Sequence, residues 1–130
     1  MKFPHCESLN DLPVAEAIAA VDEKGTLELA VSIDFWDLEN EKDWEDAQGS
    51  FSDYFDRKVK EYSLVLGETV FRGGMNEPGF PENYMEQFNV HADELVLWNY
   101  RGAQYGLSTV QEDRELPFIV SFVKMDAVPS

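Results

Sequence analysis

The sequence predicts a single α+β domain over residues 1–130, in which an antiparallel sheet of about four or five strands carries one main helix on a face. Three observations support this fold class. Apolar and polar residues alternate over 26–35, which is the period of a half-buried strand. Apolar residues recur at spacings of three and four over 50–66, as on one side of a helix. Three further apolar stretches, separated by short polar turns, follow residue 94 as in a meander of strands.

The composition is that of a folded protein with an unusually acidic surface. Of the 130 residues 44% are hydrophobic, and 26 Asp and Glu oppose 10 Lys and Arg, which gives a formal net charge of −16. A charge of this sign repels nucleic acid and attracts basic partners, so direct nucleic-acid binding is not expected. The single cysteine, Cys6, excludes an internal disulfide.

We expect a cytoplasmic protein that does not cross a membrane. The N-terminal residues lack an apolar run of signal-peptide length. No run of about 18 apolar residues occurs elsewhere in the chain. Neither secretion nor membrane insertion is therefore indicated.

The first part of the chain leads to the predicted core strand. Residues 1–13 show no period and contain two prolines, so we expect an irregular arm. The alanines of 14–21 favour a helix by propensity. However, Gly25 lies at the end of residues 22–25, where a four-residue hairpin loop would need a glycine. We therefore favour a hairpin over a short helix. The strand at 26–35 should then be interior. Its buried residues are expected to be Leu29, Val31 and Ile33.

A strongly acidic segment follows this strand. Residues 37–46 hold six acids and one base, which predicts a solvated loop. Ser50 is then placed to cap a helix that ends at Gly67. This helix, at about 50–66, should cover one face of the sheet with an apolar stripe. The stripe consists of Phe51, Phe55, Val59, Tyr62 and Leu66.

The second half of the chain begins with a long loop at 73–81, where three glycines and two prolines disfavour both helix and strand. A brief extended piece at 69–71 precedes this loop, and a short helix at 82–88 follows it. The strands of the meander are expected at 95–100, 105–110 and 117–125. The last of them has apolar residues on both faces, so it should be covered on both sides of the sheet.

No motif predicts catalysis, a metal or a cofactor. Acids alternate over 37–45 as calcium ligands could, but Lys42 and Gln48 stand where an EF-hand loop needs glycine and glutamate. His5 and Cys6 are adjacent, and the side chains of neighbouring residues usually diverge, which disfavours a catalytic pair. Two histidines and one cysteine are too few for a zinc site of the usual type. We therefore predict no catalytic residue, no metal ligand and no cofactor.

Charge is the only lead to function. We expect a non-catalytic acidic protein that neutralises a basic protein partner, as an immunity protein masks a toxin or as a nucleic-acid mimic occupies a cationic groove. Trp44 lies among the acids, where it is either an aromatic anchor for the partner or a side chain folded back onto the domain. The predicted partner-binding residues are Asp37, Glu39, Glu41, Asp43, Trp44, Glu45 and Asp46.

An alternative hypothesis is a small-molecule or enzymatic site in the 72–84 loop at the end of the sheet. Long loops in compact domains often carry function. A pocket there would be lined by the aromatic residues of the loop together with Trp98. The candidate ligand-binding residues of this hypothesis are Arg72, Met75, Phe80 and Tyr84.

Overall fold

Residues 3–35 and 41–126, which the computed structural model describes, form an antiparallel sheet with helices on both faces. The strands are β1 (Cys6–Leu9), β2 (Thr26–Ser32), β3 (Phe71–Gly73), β4 (Glu94–Tyr100), β5 (Ala103–Val110) and β6 (Ile119–Met125). The helices are α1 (Val14–Lys24), α2 (Glu41–Leu66) and α3 (Tyr84–Phe88). The strands pair in the order β1-β2-β6-β5-β4-β3. The predicted α+β class is confirmed, with one strand more than the upper number expected.

The larger core lies between the sheet and the two longer helices. The predicted stripe of α2 is confirmed, since all five of its residues are buried. Trp98 is fully buried on β4, and its indole Nε1 donates to Ser63 Oγ on α2 at 3.1 Å. The rings of Tyr62 and Phe122 meet edge to face with their centroids 5.1 Å apart. Aromatic contacts of this kind bind α2 to the middle of the sheet.

A smaller core covers part of the opposite face. There Tyr84 of α3 packs with apolar residues of β4 and β6, and its ring contacts those of Phe80 and Phe88. Val123 and Met125 of β6 are buried on this side, while Phe122 faces α2. The expectation that the last strand is covered on both faces is therefore confirmed.

The segment 14–21 is helical, so the predicted hairpin was wrong. Its buried residues Val14, Ala17 and Val21 recur at spacings of three and four, which is a helical period. Gly25 has φ 86° and donates its N–H to the carbonyl of Val21 at 2.8 Å, as the left-handed residue at a helix C-terminus does. A glycine with positive φ is equally suited to a hairpin loop, and this ambiguity led to the wrong choice.

The strand predicted at 26–35 is interior, between β1 and β6, but its alternation does not persist. Leu29 is fully buried and Ala30 is buried beside it, because the register shifts between Glu28 and Ala30. Beyond this bulge the buried positions move by one residue. Val31 is therefore only half-buried and Ile33 is 37% exposed, contrary to the prediction.

The sequence did not predict the edge strand β1, but it did predict the meander. Part of the predicted irregular arm forms the edge strand β1, which pairs with β2. The meander is confirmed, since β4, β5 and β6 are neighbours in the sheet. Its first turn is tighter than expected, with Arg101 and Gly102 at φ 51° and 78°. Two positive φ values in a two-residue loop are those of a type I′ hairpin turn.

Among the described residues, the core contains a buried charged side chain, Lys58, which is only 4% exposed. Its ammonium group forms ion pairs with Asp11 and, at 3.1 Å, with Glu61 on α2. It also lies over the rings of Tyr54 and Tyr62, 5.7 and 5.5 Å from their centroids. The Tyr54 hydroxyl donates to the same Asp11 carboxylate at 2.9 Å. This cluster ties the segment that precedes α1 to the middle of α2.

The ionisation of Asp11 follows from these contacts. Partial burial raises the pKa of Asp11, but hydrogen bonds from Lys58 and Tyr54 and the charges of Lys58 and Arg57 outweigh that effect and hold the pKa below its ordinary value. Burial, followed by the hydrogen bond to Asp11, raises the pKa of Tyr54. The folded state thus favours a carboxylate facing a neutral tyrosine.

We predict that Asp11→Asn lowers the free energy of unfolding at pH 7 by about 1–3 kcal/mol, because it removes one of the two carboxylates that pair with the buried Lys58 and leaves only Glu61. Since the folded pKa of Asp11 is depressed, its contribution is present above the ordinary aspartate pKa near 4 and is lost as the pH falls through the lower folded value. Urea unfolding from pH 7 to pH 3 should show the two proteins converging at low pH. Asp53→Asn, on the exposed side of α2, is the control that should match wild type throughout. A gap that does not narrow as the pH falls from 7 to 3 would contradict this assignment.

We also predict opposite effects of alanine at two glycines. A Cβ at Gly106 on β5 would lie 2.9 Å from Leu97 Cδ2 and 3.0 Å from the carbonyl oxygen of Val96. Gly106→Ala should therefore lower the free energy of unfolding by about 1–3 kcal/mol.

At Gly49, inside α2, a Cβ meets no atom within 4 Å. Gly49→Ala should therefore raise the free energy of unfolding by about 0.5–1 kcal/mol. Thermal denaturation decides both, and a Gly106→Ala protein as stable as wild type would show that the sheet can adjust there.

Candidate partner-binding surface

The acidic segment predicted at 37–46 is helical as far as the structure describes it. Its second part, from Glu41 to Asp46, belongs to α2 and is not a solvated loop. Asp37 and Glu39 lie outside the described residues. The expected helix start at Ser50 was wrong, because Ser50 lies inside the helix.

The reason for this error is visible in the apolar residues of α2. Trp44, Ala47 and Phe51 stand at spacings of three and four, so the buried stripe extends toward the start of the helix. Gly49 and Ser50 resemble a loop and a cap, but Gly49 is exposed and Ser50 is half-buried at the edge of the stripe, so both fit within a continuous helix. Continuing the stripe backward from Phe51 would have revealed the longer helix.

Trp44 is folded back onto the domain and is half-buried. Its ring centroid lies 5.7 Å from that of Phe118, and its Nε1 donates to Gln111 Oε1 at 3.2 Å. The guanidinium of Arg114 lies 4.8 Å from the ring centroid and donates to Glu41 at 2.9 Å. Of the two roles considered for Trp44, the structure shows the packed one, although part of the ring remains accessible.

The connection at 111–117 brings more acids to the same place. The Gln111 side chain donates to the carbonyls of Arg114 and Leu116 at 3.0 and 2.9 Å, which holds the connection in a compact turn. The N–H of Phe35 donates to the carbonyl of Glu115 at 2.9 Å. Residues following β2 and residues preceding β6 are therefore placed beside the start of α2.

We call the resulting region the acidic surface. It contains exposed acids from three separate segments of the chain. These acids are Asp34, Glu41, Asp43, Glu45, Asp46, Glu112, Asp113 and Glu115. The neighbouring basic residues are Lys42 and Arg114, and His5 Nε2 lies 3.8 Å from Asp43 Oδ1.

Sequence reasoning found only part of this surface. The acids of 41–46 were predicted, whereas Asp34 and the acids of 112–115 were not. Trp44 and Gln111, which join the two regions, are 67 residues apart in the sequence. A short acidic run at 112–115 is visible in the sequence, but only strand pairing shows where it lies.

The residues of the alternative site do not converge on one cavity. Arg72 donates to Asp56 on α2 at 2.6 Å and to Glu94 at 3.2 Å. Phe80 and Tyr84 instead belong to the core of the opposite face. Met75 is 42% exposed. Trp98 packs against α2, so the sheet separates it from Tyr84.

A groove of about 510 Å³ does run along the face that carries α3. Tyr84 and Phe88 line one part of it, and Val110 and Ile119 line another. Of the four candidate ligand-binding residues, Tyr84 alone is among the residues that line this groove. The 72–84 hypothesis thus remains a prediction without support from the arrangement of its residues.

The described residues show no arrangement typical of a metal site. No group of three or more His, Cys, Asp and Glu among them is placed to hold an ion. His91 Nε2 lies 3.4 Å from Asp93 Oδ1, as a partly exposed pair. None of the helices within residues 3–35 and 41–126 combines the length and apolar character that a membrane span requires.

Comparison with known proteins assigns no family to this chain. No protein family, curated protein or solved structure matches it at a significant level. The fold and the acidic surface define it as a small α+β protein with a strongly acidic face around the start of its main helix. Its function must therefore be argued from the chemistry of that face.

We predict that Trp44→Ala lowers the free energy of unfolding by about 1–3 kcal/mol, because the ring packs on Phe118 and its N–H bonds Gln111. Trp44→Phe keeps the ring contact and loses only the hydrogen bond, so its cost should be about 1 kcal/mol or less. Urea denaturation of the two variants measures the difference. Equal stability of all three proteins would mean that the side chain contributes to a surface rather than to the fold.

Proposed function

We propose that this protein is a non-catalytic binding protein that neutralises a basic protein partner. It would act in the cytoplasm as an immunity protein does when it masks a bacterial toxin, or as a nucleic-acid mimic does in a cationic groove. The observation that carries the proposal is the acidic surface, where eight exposed carboxylates from three segments surround the start of α2. A basic partner is the ligand that such a concentration of charge attracts.

Binding would begin with electrostatic steering. A chain of net charge −16 attracts a cationic surface over distances comparable to the Debye length, about 10 Å at 0.1 M salt. The local excess of acids then orients the partner toward the start of α2. Steering of this kind raises the association rate more than it slows dissociation.

The helix gives the carboxylates a fixed geometry. The acids of 41–46 stand on a helix whose inner stripe is buried from Trp44 to Leu66. A rigid backbone loses less conformational freedom on binding than a solvated loop would. The surface is therefore better preorganised than the sequence alone suggested, and Asp37 and Glu39 remain predicted members of it.

Trp44 and Arg114 form part of the same surface, beside Glu41. The accessible part of the indole, with the guanidinium beside it and Glu41 next to both, offers a mixed aromatic and charged contact. Aromatic residues and arginine are enriched among residues that dominate binding energy. Exposed carboxylates around them would form the polar rim.

The test begins with capture of partners from a lysate at low and high salt, and continues with the kinetics of the basic protein retained only at low salt. We predict that replacing Glu41, Asp43, Glu45 and Asp46 by their amides lowers the association rate constant at least about tenfold at low salt. The same rate constant for wild type should fall as salt is raised.

The matched control replaces four exposed acids elsewhere, Glu68, Glu77, Glu82 and Glu86, by glutamine. It changes the net charge equally, so it should reduce the association rate much less than the variant at the acidic surface. Equal reduction by both variants would show that only the net charge matters. Capture of no basic protein at low salt would refute the proposal.

A further inference from the structure

A groove of about 530 Å³ lies beside the turn that joins β4 to β5. Residues of α1, of the end of α2 and of the strands on both sides of the turn line it. The apolar and aromatic residues among them are Ala15, Ile18, Val65, Tyr100, Ala103 and Tyr105. Sites for small molecules have this size and this mainly apolar lining, together with a few polar groups that fix the orientation of the ligand.

The charged residues that line the groove are Asp22, Lys124 and Arg101. Asp22 Oδ1 accepts a hydrogen bond from the Tyr105 hydroxyl at 2.8 Å and lies 3.0 Å from Lys124 Nζ. The hydrogen bonds from Tyr105 and then from Lys124 hold the pKa of Asp22 below its ordinary value. Asp22 is therefore ionised in the folded protein, and Lys124 cancels its charge.

Arg101 supplies the remaining charge of the groove. Its guanidinium lies over Tyr100, 5.0 Å from the ring centroid, and the residue is exposed. None of the ion pairs formed within residues 3–35 and 41–126 involves Arg101. The groove therefore combines apolar walls with one positive charge that the described residues leave uncompensated.

The backbone of Arg101 gives a second indication that its side chain has a role. Arg101 and Gly102 form the type I′ turn, and φ of Arg101 is 51°. Asn, Asp and Gly are the favoured residues at this first position of the turn, because the left-handed conformation is costly for longer side chains. Arginine is thus unfavourable for the turn itself. A residue that strains its own backbone is a reason to seek a function for its side chain.

We propose that this groove binds a small aromatic carboxylate, whose ring lies against the apolar walls and whose carboxylate pairs with Arg101. The planar guanidinium can donate two parallel N–H bonds to a carboxylate. One uncompensated positive charge matches one negative charge, whereas a phosphate dianion would exceed it in a chain of net charge −16. The rings of Tyr100 and Tyr105, with centroids 6.4 Å apart, offer aromatic contacts to the ring of the ligand.

The net charge of the chain does not prevent this binding. At physiological ionic strength the Debye length is about 8 Å, so exposed carboxylates farther away than this are largely screened from an anion in the groove. Of the described acids, Asp22 alone lines the groove, and its charge is cancelled by Lys124. The charge that a bound carboxylate meets is therefore that of Arg101.

The experiment titrates the full chain with naphthylacetate, and separately with its neutral amide naphthylacetamide, while NMR records the backbone amide shifts. We expect naphthylacetate to bind with a dissociation constant of about 1 mM or lower. The shifts should change at Ile18, Val65 and residues 100–105, which line the groove or form its turn. The neutral amide should bind at least about tenfold more weakly, because it lacks the charge that pairs with Arg101.

Two arginine variants separate the role of the side chain from that of the turn. Arg101→Asn introduces the residue that the turn favours, so the melting temperature should rise or stay unchanged. The same variant should raise the dissociation constant of naphthylacetate at least about tenfold. Arg57→Gln is the matched control. Arg57 also lies over a tyrosine ring, 5.6 Å from the centroid of Tyr54, but it does not line the groove, so its removal should leave the dissociation constant unchanged.

A dissociation constant above about 10 mM for the wild-type protein would overturn the proposal. So would equal binding of the acid and its amide, shift changes confined to other parts of the chain, or an Arg101→Asn protein that binds naphthylacetate as wild type does. No basic partner is present in this experiment, so its result is independent of the proposed function.

Discussion

The structure depends on the burial of one helix stripe against the sheet. The aromatic and apolar residues of α2 from Trp44 to Leu66 pack on the strands of the meander. Aromatic side chains bury large areas, and their edge-to-face contacts add to that gain. This stabilisation opposes the self-repulsion of a chain with net charge −16. It also holds the start of α2, and with it the acidic surface, at a fixed position.

The buried Lys58 is the exception within this stripe. A lysine is rarely buried unless it is paired, and here two carboxylates, Asp11 and Glu61, and two tyrosine rings satisfy it. The ion pair with Asp11 holds the segment before α1 against α2. The Tyr62 hydroxyl adds a second contact by donating to the carbonyl of Leu12 at 2.9 Å. A polar contact inside an apolar stripe thus specifies how the N-terminal part of the chain packs, in addition to stabilising it.

The two ends of α2 have opposite physical characters. Around its start, carboxylates that are distant in sequence come together, and charge dominates. At its end, Leu64 is 88% exposed, and Val65 lines an apolar groove that also contains Arg101 and Lys124.

Local pattern alone determined the α+β class, the meander and the inner stripe of α2 from Phe51 to Leu66, because in these segments the period of apolar residues matches the face they bury. It also identified the acids of 41–46. Tertiary structure decided what local pattern leaves open. A bulge shifted the buried positions of β2, Gly25 ended a helix where it could equally have closed a hairpin, and packing extended α2 through Gly49 and Ser50. The acidic surface is tertiary for the same reason. The contacts that assemble it, Phe35 with Glu115 and Glu41 with Arg114, form only when β2, α2 and the connection before β6 are packed together. No local period records contacts between residues so far apart in the chain.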